Sequence, residues 1–151
     1  MKKHIVKFFA TGAFAGLSPV MPGTVGTLWG VFIAWLLSGR PPYEQVLAII
    51  SISAASVYFA SEESKNTGQK DPGSIVCDEI AGFLVAFFLV PFTLFNLILV
   101  FILFRFFDIV KPYPVGEIDR KTEGGLGIVL DDIIAGIYAG VIAHAVLWFI
   151  K

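Results

Sequence analysis

A helical bundle embedded in a lipid bilayer is the fold class this chain predicts: all-α and polytopic, with about five short transmembrane helices and an N-terminal interfacial helix. Three observations carry it. Of the 151 residues, 56% are hydrophobic and only 15% charged, outside the balance of a soluble domain. The apolar residues fall in five runs separated by charged or turn-rich stretches. Threaded through a membrane, those runs sort the cations to one side. The length fits a single membrane-embedded domain, residues 1–151.

The basic start, Met1-Lys2-Lys3-His4, leads into mixed sequence without a clean cleavage site, so it reads as retained. Residues 1 to 18 suit a helix lying at the cytoplasmic surface. The apolar runs follow at about Val25 to Leu37, Val46 to Ala60, Ile80 to Val90, Leu94 to Phe107 and Ile128 to Ile150. Several are shorter than the roughly 20 residues that cross a bilayer comfortably. Pro91, with Thr93 and Asn96 nearby, favours a tight hairpin between two short helices over one kinked helix. Five crossings put Lys2, Lys3, Lys7, Lys65, Lys70, Arg105, Lys111, Arg120 and Lys121 on one face and only Arg40 and Lys151 on the other. By the positive-inside rule the crowded face is cytoplasmic. Net charge near neutral argues against a nucleic-acid partner. A single cysteine, Cys77, excludes an intrachain disulfide.

Acidic residues follow the small-residue stripes of these helices. Asp132 stands above Gly136, Gly140 and His144, Asp131 above Ala135, Ala139 and Ala143, and Asp78 above Gly82 and Ala86. Gly26, Gly30, Ala34 and Ser38 form a matching stripe on the first crossing. Small residues at this spacing mark close helix packing, so the acids face the bundle interior near its cytoplasmic mouth. Asp78 with Glu79 opens one helix, Asp131 with Asp132 lies in the first turns of another, and Asp108 closes a third. Converging carboxylates repel, and a hard divalent cation relieves the conflict. Oxygen-only donors favour magnesium or manganese over zinc. A plain salt-bridge layer with Arg105, Lys111, Arg120 and Lys121 is the competing structural reading.

Phosphate handling is the second theme. In "GLSPVMPGTVGTLWG" (16–30), Gly23 permits close backbone passage and Thr24 is a suitable N-cap for a helix whose amides attract an anion. In "FRFFDIVKPYP" (104–114), Asp108 lies three residues from both Arg105 and Lys111, a carboxylate between two cations at helical spacing. The glycines of "EGGLGIVLDD" suggest a mobile loop. His144 and His4 read as packed and surface residues, and the tryptophans as interfacial or packing residues. No Cys-x5-Arg phosphatase loop and no DxD aspartyl-phosphate pattern is present, so direct attack by water is the simpler chemistry.

"GLSPVMPGTVGTL", "DPGSIVCDEIAG", "FRFFDIVKPYPV" and "GGLGIVLDDIIAG" resemble, in this order and at this spacing, the motif blocks of the phosphatidylglycerophosphatase A family, from residue 16 to 140. The resemblance implies a magnesium-dependent lipid phosphatase of the bacterial inner membrane. Such an enzyme converts phosphatidylglycerophosphate to phosphatidylglycerol and inorganic phosphate. It puts Asp78, Glu79, Asp108, Lys111, Asp131 and Asp132 on the family's polar signature positions. The expected metal ligands are Asp78, Glu79, Asp131 and Asp132; Gly23, Thr24, Arg105 and Lys111 are expected to hold phosphate. The alternative is a small cation channel or transporter with an acidic cytoplasmic mouth. A CDP-alcohol phosphotransferase is disfavoured because its "DGxxAR" type block is missing.

Overall fold

Prolines, glycines and one lysine punctuate the helices. The computed structural model describes residues 2–150, the side chains of residues 119 and 120 excepted. Among the described residues seven α-helices follow in order: α1 Lys2–Ala10, α2 Pro22–Leu37, α3 Pro42–Thr67, α4 Cys77–Ala86, α5 Leu94–Val110, α6 Val115–Lys121 and α7 Gly124–Phe149. A 3-10 turn at Ala15–Leu17 separates α1 from α2, and no strand occurs among the described residues. Pro22 and Pro42 occupy first-turn positions, where the missing amide proton costs nothing. Gly68 ends α3 in the left-handed region (φ 71°). Thr93 caps α5 by accepting from the Asn96 amide at 3.2 Å. Arg120 by its side chain and Lys151 altogether lie outside the described residues.

α3 and α7, with 26 residues each, are long and apolar enough to cross a membrane. At about 1.5 Å per residue each is about 39 Å long. α2 and α5 are shorter, at 16 and 17 residues. α4 has only 10 residues and is almost wholly buried. Its length of about 15 Å is half the hydrocarbon thickness. Large apolar side chains face outward along the bundle, among them Leu28, Phe32, Leu47, Ile102, Phe106 and Val141. An envelope of this kind suits lipid as its solvent.

Contacts give the directions of the helices. Gly26 and Gly30 of α2 meet Val76 and Phe83, while Gly82 and Ala86 of α4 meet Asp132 and Gly140 of α7, so α2, α4 and α7 run parallel. Arg105 and Phe101 of α5 meet Glu79 and Phe83 of α4, and Ser56 and Gln45 of α3 meet Cys77 and Leu89 at the start and just past the end of α4; α3 and α5 therefore run the opposite way. The glycine stripe works as expected: a Cβ on Gly136 would lie 2.3 Å from the Gly82 carbonyl oxygen, so backbone packs on backbone. Ala135, Ala139 and Ala143 are fully buried beside Phe83, Val100 and Phe104.

Several boundaries differ from the sequence reading. The run 80–107 is divided, with α4 ending at Ala86 and α5 starting at Leu94, as the hairpin required. The glycines at 124, 125 and 127 belong to α7 instead of a mobile loop. The Ser61 hydroxyl accepts from the Gly125 amide at 2.9 Å, and Gly127 lies against the Thr122 carbonyl, so small residues are needed for close approach. Asp131 and Asp132 consequently lie more than one turn into α7, not at its start. Thr24 is the third residue of α2, whose N-cap is Met21 (φ 48°), so it does not cap. α1 stops at Ala10, where Gly12, Ala13 and Phe14 turn the chain through three consecutive positive φ values. α6 was hidden by its few apolar residues.

Candidate active site

One end of the bundle collects the starts of α2 and α4, the end of α5 and the first third of α7. α4 brings Asp78 and Glu79 in its first turn, where the helix dipole favours negative charge. Ser56 of α3 fixes that turn by donating to the Cys77 carbonyl at 2.8 Å. Asp132 arrives from α7 over the Gly82 contact. One carboxylate oxygen from each of Asp78, Glu79 and Asp132 lies within 4.8 Å of the others. Asp78 and Asp132 are buried, and Asp78 Oδ1, Glu79 Oε2 and Asp132 Oδ2 have no hydrogen-bond partner. Leaving a buried acceptor unmatched costs about 1–3 kcal/mol, and more when it is charged.

Cations ring this triad. Arg105 of α5 pairs with Asp108 at 2.6 Å and stands 3.9 Å from Glu79. Lys111 ends α5 in the left-handed region (φ 46°), which turns its side chain toward α7, where the ammonium bonds to the Asp131 carboxylate. Asp108 is therefore not the midpoint of a simple three-residue ladder: Arg105 goes to Asp108 and Lys111 to Asp131. Asp131 stands apart from the three-oxygen cluster. Gly23, at the start of α2, backs directly on the site, since a Cβ there would lie 2.2 Å from Glu79 Oε1 and 3.1 Å from both terminal nitrogens of Arg105. Thr24 Oγ1 and Arg105 Nε are buried without hydrogen-bond partners. Carboxylate oxygens lie in the centre of this arrangement, with a guanidinium, an ammonium and a helix N-terminus at its margin.

A family model described as phosphatidylglycerophosphatase A matches residues 8–147. The chain belongs to the phosphatidylglycerophosphatase A family. Relatives agree. The phosphatidylglycerophosphatase A of Escherichia coli (strain K12) is 35% identical over 142 residues, covering 93% of this chain and 80% of the relative. That of Haemophilus influenzae is 34% identical over 146 residues, covering 95% and 90%. A Bacteroides thetaiotaomicron protein with a provisional description as a phosphatidylinositol-3-phosphatase is 31% identical over 147 residues, covering 93% and 92%. No solved structure matches the chain.

In this member of the phosphatidylglycerophosphatase A family, sequence reasoning missed three neighbours of the site. Ser56, which secures α4, shares a buried stripe with Ala60 on α3, a spacing visible in the sequence. Asp71, in the loop before α4, lies close enough for its charge to act on Asp78, and it heads the quoted "DPGSIVCDEIAG" block. Tyr138 donates to the Tyr113 carbonyl at 3.1 Å and so ties the turn after Lys111 to α7. No local pattern announced that contact. His144 donates from Nδ1 to the Gly140 carbonyl at 2.8 Å on its own helix, far from the acids.

Proposed function

We propose that this chain hydrolyses the phosphomonoester of phosphatidylglycerophosphate, giving phosphatidylglycerol and inorganic phosphate, with a divalent cation and from the cytoplasmic face of a bacterial inner membrane. The observation that carries the reading is the convergence of Asp78, Glu79 and Asp132 within 4.8 Å, with unmatched buried oxygens, beside Arg105 and the start of α2. The family's description and the printed names of the Escherichia coli and Haemophilus influenzae relatives supply the substrate.

These oxygens fit a hard cation. Two ligands each about 2.1 Å from magnesium are at most about 4.2 Å apart, so small side-chain adjustments close the cluster around it. Asp78, Glu79 and Asp132 would hold the ion, with Asp131 beside them as the partner of Lys111. When bound, the cation supplies positive charge that polarises the phosphoryl group and acidifies water. The chain's own groups do the rest. Arg105 and Lys111 offset charge on the phosphoryl oxygens, assisted by the amides around Gly23 and the Thr24 hydroxyl. Asp108 takes a proton from the attacking water. The phosphorus–oxygen ester bond breaks with its electron pair going to the glycerol oxygen, which takes up the proton that Asp108 removed from the water and becomes the alcohol.

Five crossings by α2, α3, α4 with its following turn, α5 and α7 agree with the alternating helix directions, and the cation count then supports a cytoplasmic site. The channel reading is not favoured, because Phe83, Val100, Phe104 and the buried alanines fill the bundle interior where a pore would run. The test is phosphate release from phosphatidylglycerophosphate by purified protein in mild detergent, with magnesium and with EDTA, beside Asp78→Asn and Asp132→Asn variants of matched folding. Magnesium-dependent release, lost in both variants, is expected. Release that survives EDTA or either substitution overturns the assignment of those residues.

A further inference from the structure

Residues 2–21 form a layer with two faces. Within α1, Val6 and Ala10 are buried against α3, and Phe9 stacks on Phe59 with ring centroids 4.8 Å apart. Ile5, Phe8 and Phe9 share another face and are 40–51% exposed, while Lys3 and Lys7 lie on the side opposite to them. The chain beyond α1 continues the apolar surface with Phe14, Val20 and Met21, 51–67% exposed. Phe14 and Met21 are held at φ 70° and 48°. Such backbone strain persists only where the surroundings hold it in place.

The inner face of this layer rests on the chain that leads into the site. The Val76 amide donates to the Ala10 carbonyl at 2.9 Å, two residues before Asp78. A Cβ on Gly16 would lie 2.0 Å from the Ser74 carbonyl oxygen, and one on Gly12 3.0 Å from Val76. Met21 is two residues before Gly23, the position that backs on Glu79 and Arg105. The same layer borders the outward face of α2, with Trp29 3.6 Å from the Gly12 Cβ position. Its apolar surface is thus continuous with the lipid-facing surface of the bundle.

We propose that residues 2–21 are a contact for anionic phospholipid, through which the charge of the bilayer surface steadies residues 73–79 and 22–24 and so sets the activity of the site. An apolar face with lysines opposite is the pattern of a helix lying in the headgroup layer. Lys2, Lys3 and Lys7 give this layer a positive charge that complements an anionic surface. Lys2 also meets Glu62 at 3.4 Å, with its side chain 75% exposed, an ion pair that water and salt weaken. The role in activity rests on the phosphatase reading above; the lipid contact does not.

The chain's one cysteine, Cys77, is buried, so a Val20→Cys variant takes an environment-sensitive fluorophore selectively. It is reconstituted in phosphatidylcholine vesicles with and without phosphatidylserine. Quenching by nitroxide-labelled lipid, stronger with phosphatidylserine, is expected. In parallel, kcat/KM is compared for wild type and the Lys2→Gln/Lys3→Gln/Lys7→Gln variant. Phosphatidylserine should raise wild-type kcat/KM, and the variant should lose about tenfold of that response, while both behave alike in uncharged detergent. A probe reached by aqueous iodide but not by lipid-borne nitroxide overturns the proposal, as does a variant that keeps the full response to phosphatidylserine. Absence of phosphate release in every vesicle would instead remove the phosphatase reading, and quenching alone would then decide the lipid contact.

Discussion

Replacing Gly23 by alanine probes the tightest approach at the site. The new methyl would sit 2.2 Å from Glu79 Oε1, whereas ordinary contact begins at 3.4 Å, so the carboxylate has to retreat by 3.4 − 2.2 = 1.2 Å or carry α2 away from it. Glu79 ends in a flexible side chain, so its retreat is the easier path. The folding cost should then be about 1 kcal/mol, the low end for an added methyl in a packed place. Better helix propensity of alanine offsets part of it. Catalysis tolerates such a shift poorly, since about 1 Å of misplacement costs about 100-fold. The expected outcome is a fall in kcat/KM for phosphatidylglycerophosphate of about 100-fold, equal to about 2.7 kcal/mol of transition-state stabilisation. The midpoint of thermal unfolding in detergent should move by only a few degrees. Phosphate release and unfolding are measured on the same preparation. Wild-type kcat/KM in the folded variant would refute the placing of Glu79 against Gly23. Activity and fold lost together would mean that the α2 junction absorbs the methyl.

Gly136→Ala should show the opposite pattern, because its Cβ would meet the Gly82 backbone oxygen at 2.3 Å and no side chain can yield; a loss of several degrees in the unfolding midpoint checks this. Lys111→Met leaves the buried Asp131 carboxylate without its ammonium, so it should destabilise more than Lys111→Met combined with Asp131→Leu. A double-mutant cycle on unfolding free energy should give a coupling of about 0.5–3 kcal/mol. Tyr138→Phe removes the hydrogen bond to the Tyr113 carbonyl; kcat should fall more than fivefold with KM and unfolding midpoint little changed, as expected for a group that holds Lys111 in position.

The helical class, the five apolar runs and the identity of the clustered acids were legible because each rests on a local signal: hydropathy, spacing, and charge out of place in an apolar run. Stripes of period four led directly to the Gly82, Gly136 and Gly140 contacts. The division of labour among the acids was not legible. Asp131 and Asp132 are adjacent in sequence, yet about 100° of helical rotation sends one to Lys111 and the other to Asp78 and Glu79. Which neighbour each meets depends on how α5 and α7 pack. Thr24 was misjudged because a proline before it starts the helix earlier than its own capping preference suggests. The glycines at 124–127 were misjudged because the same residue type serves loose loops and close helix contacts alike.

α4 stops after 10 residues, so the acids it carries are never far from the contact that sets their register. Gly82, where α4 meets the Asp132 backbone of α7, lies four residues beyond Asp78, about 6 Å along the axis. Over so short a span a helix has little room to bend. One added or deleted residue between Asp78 and Gly82 would swing the first turn by about 100° and carry Asp78 away from Asp132.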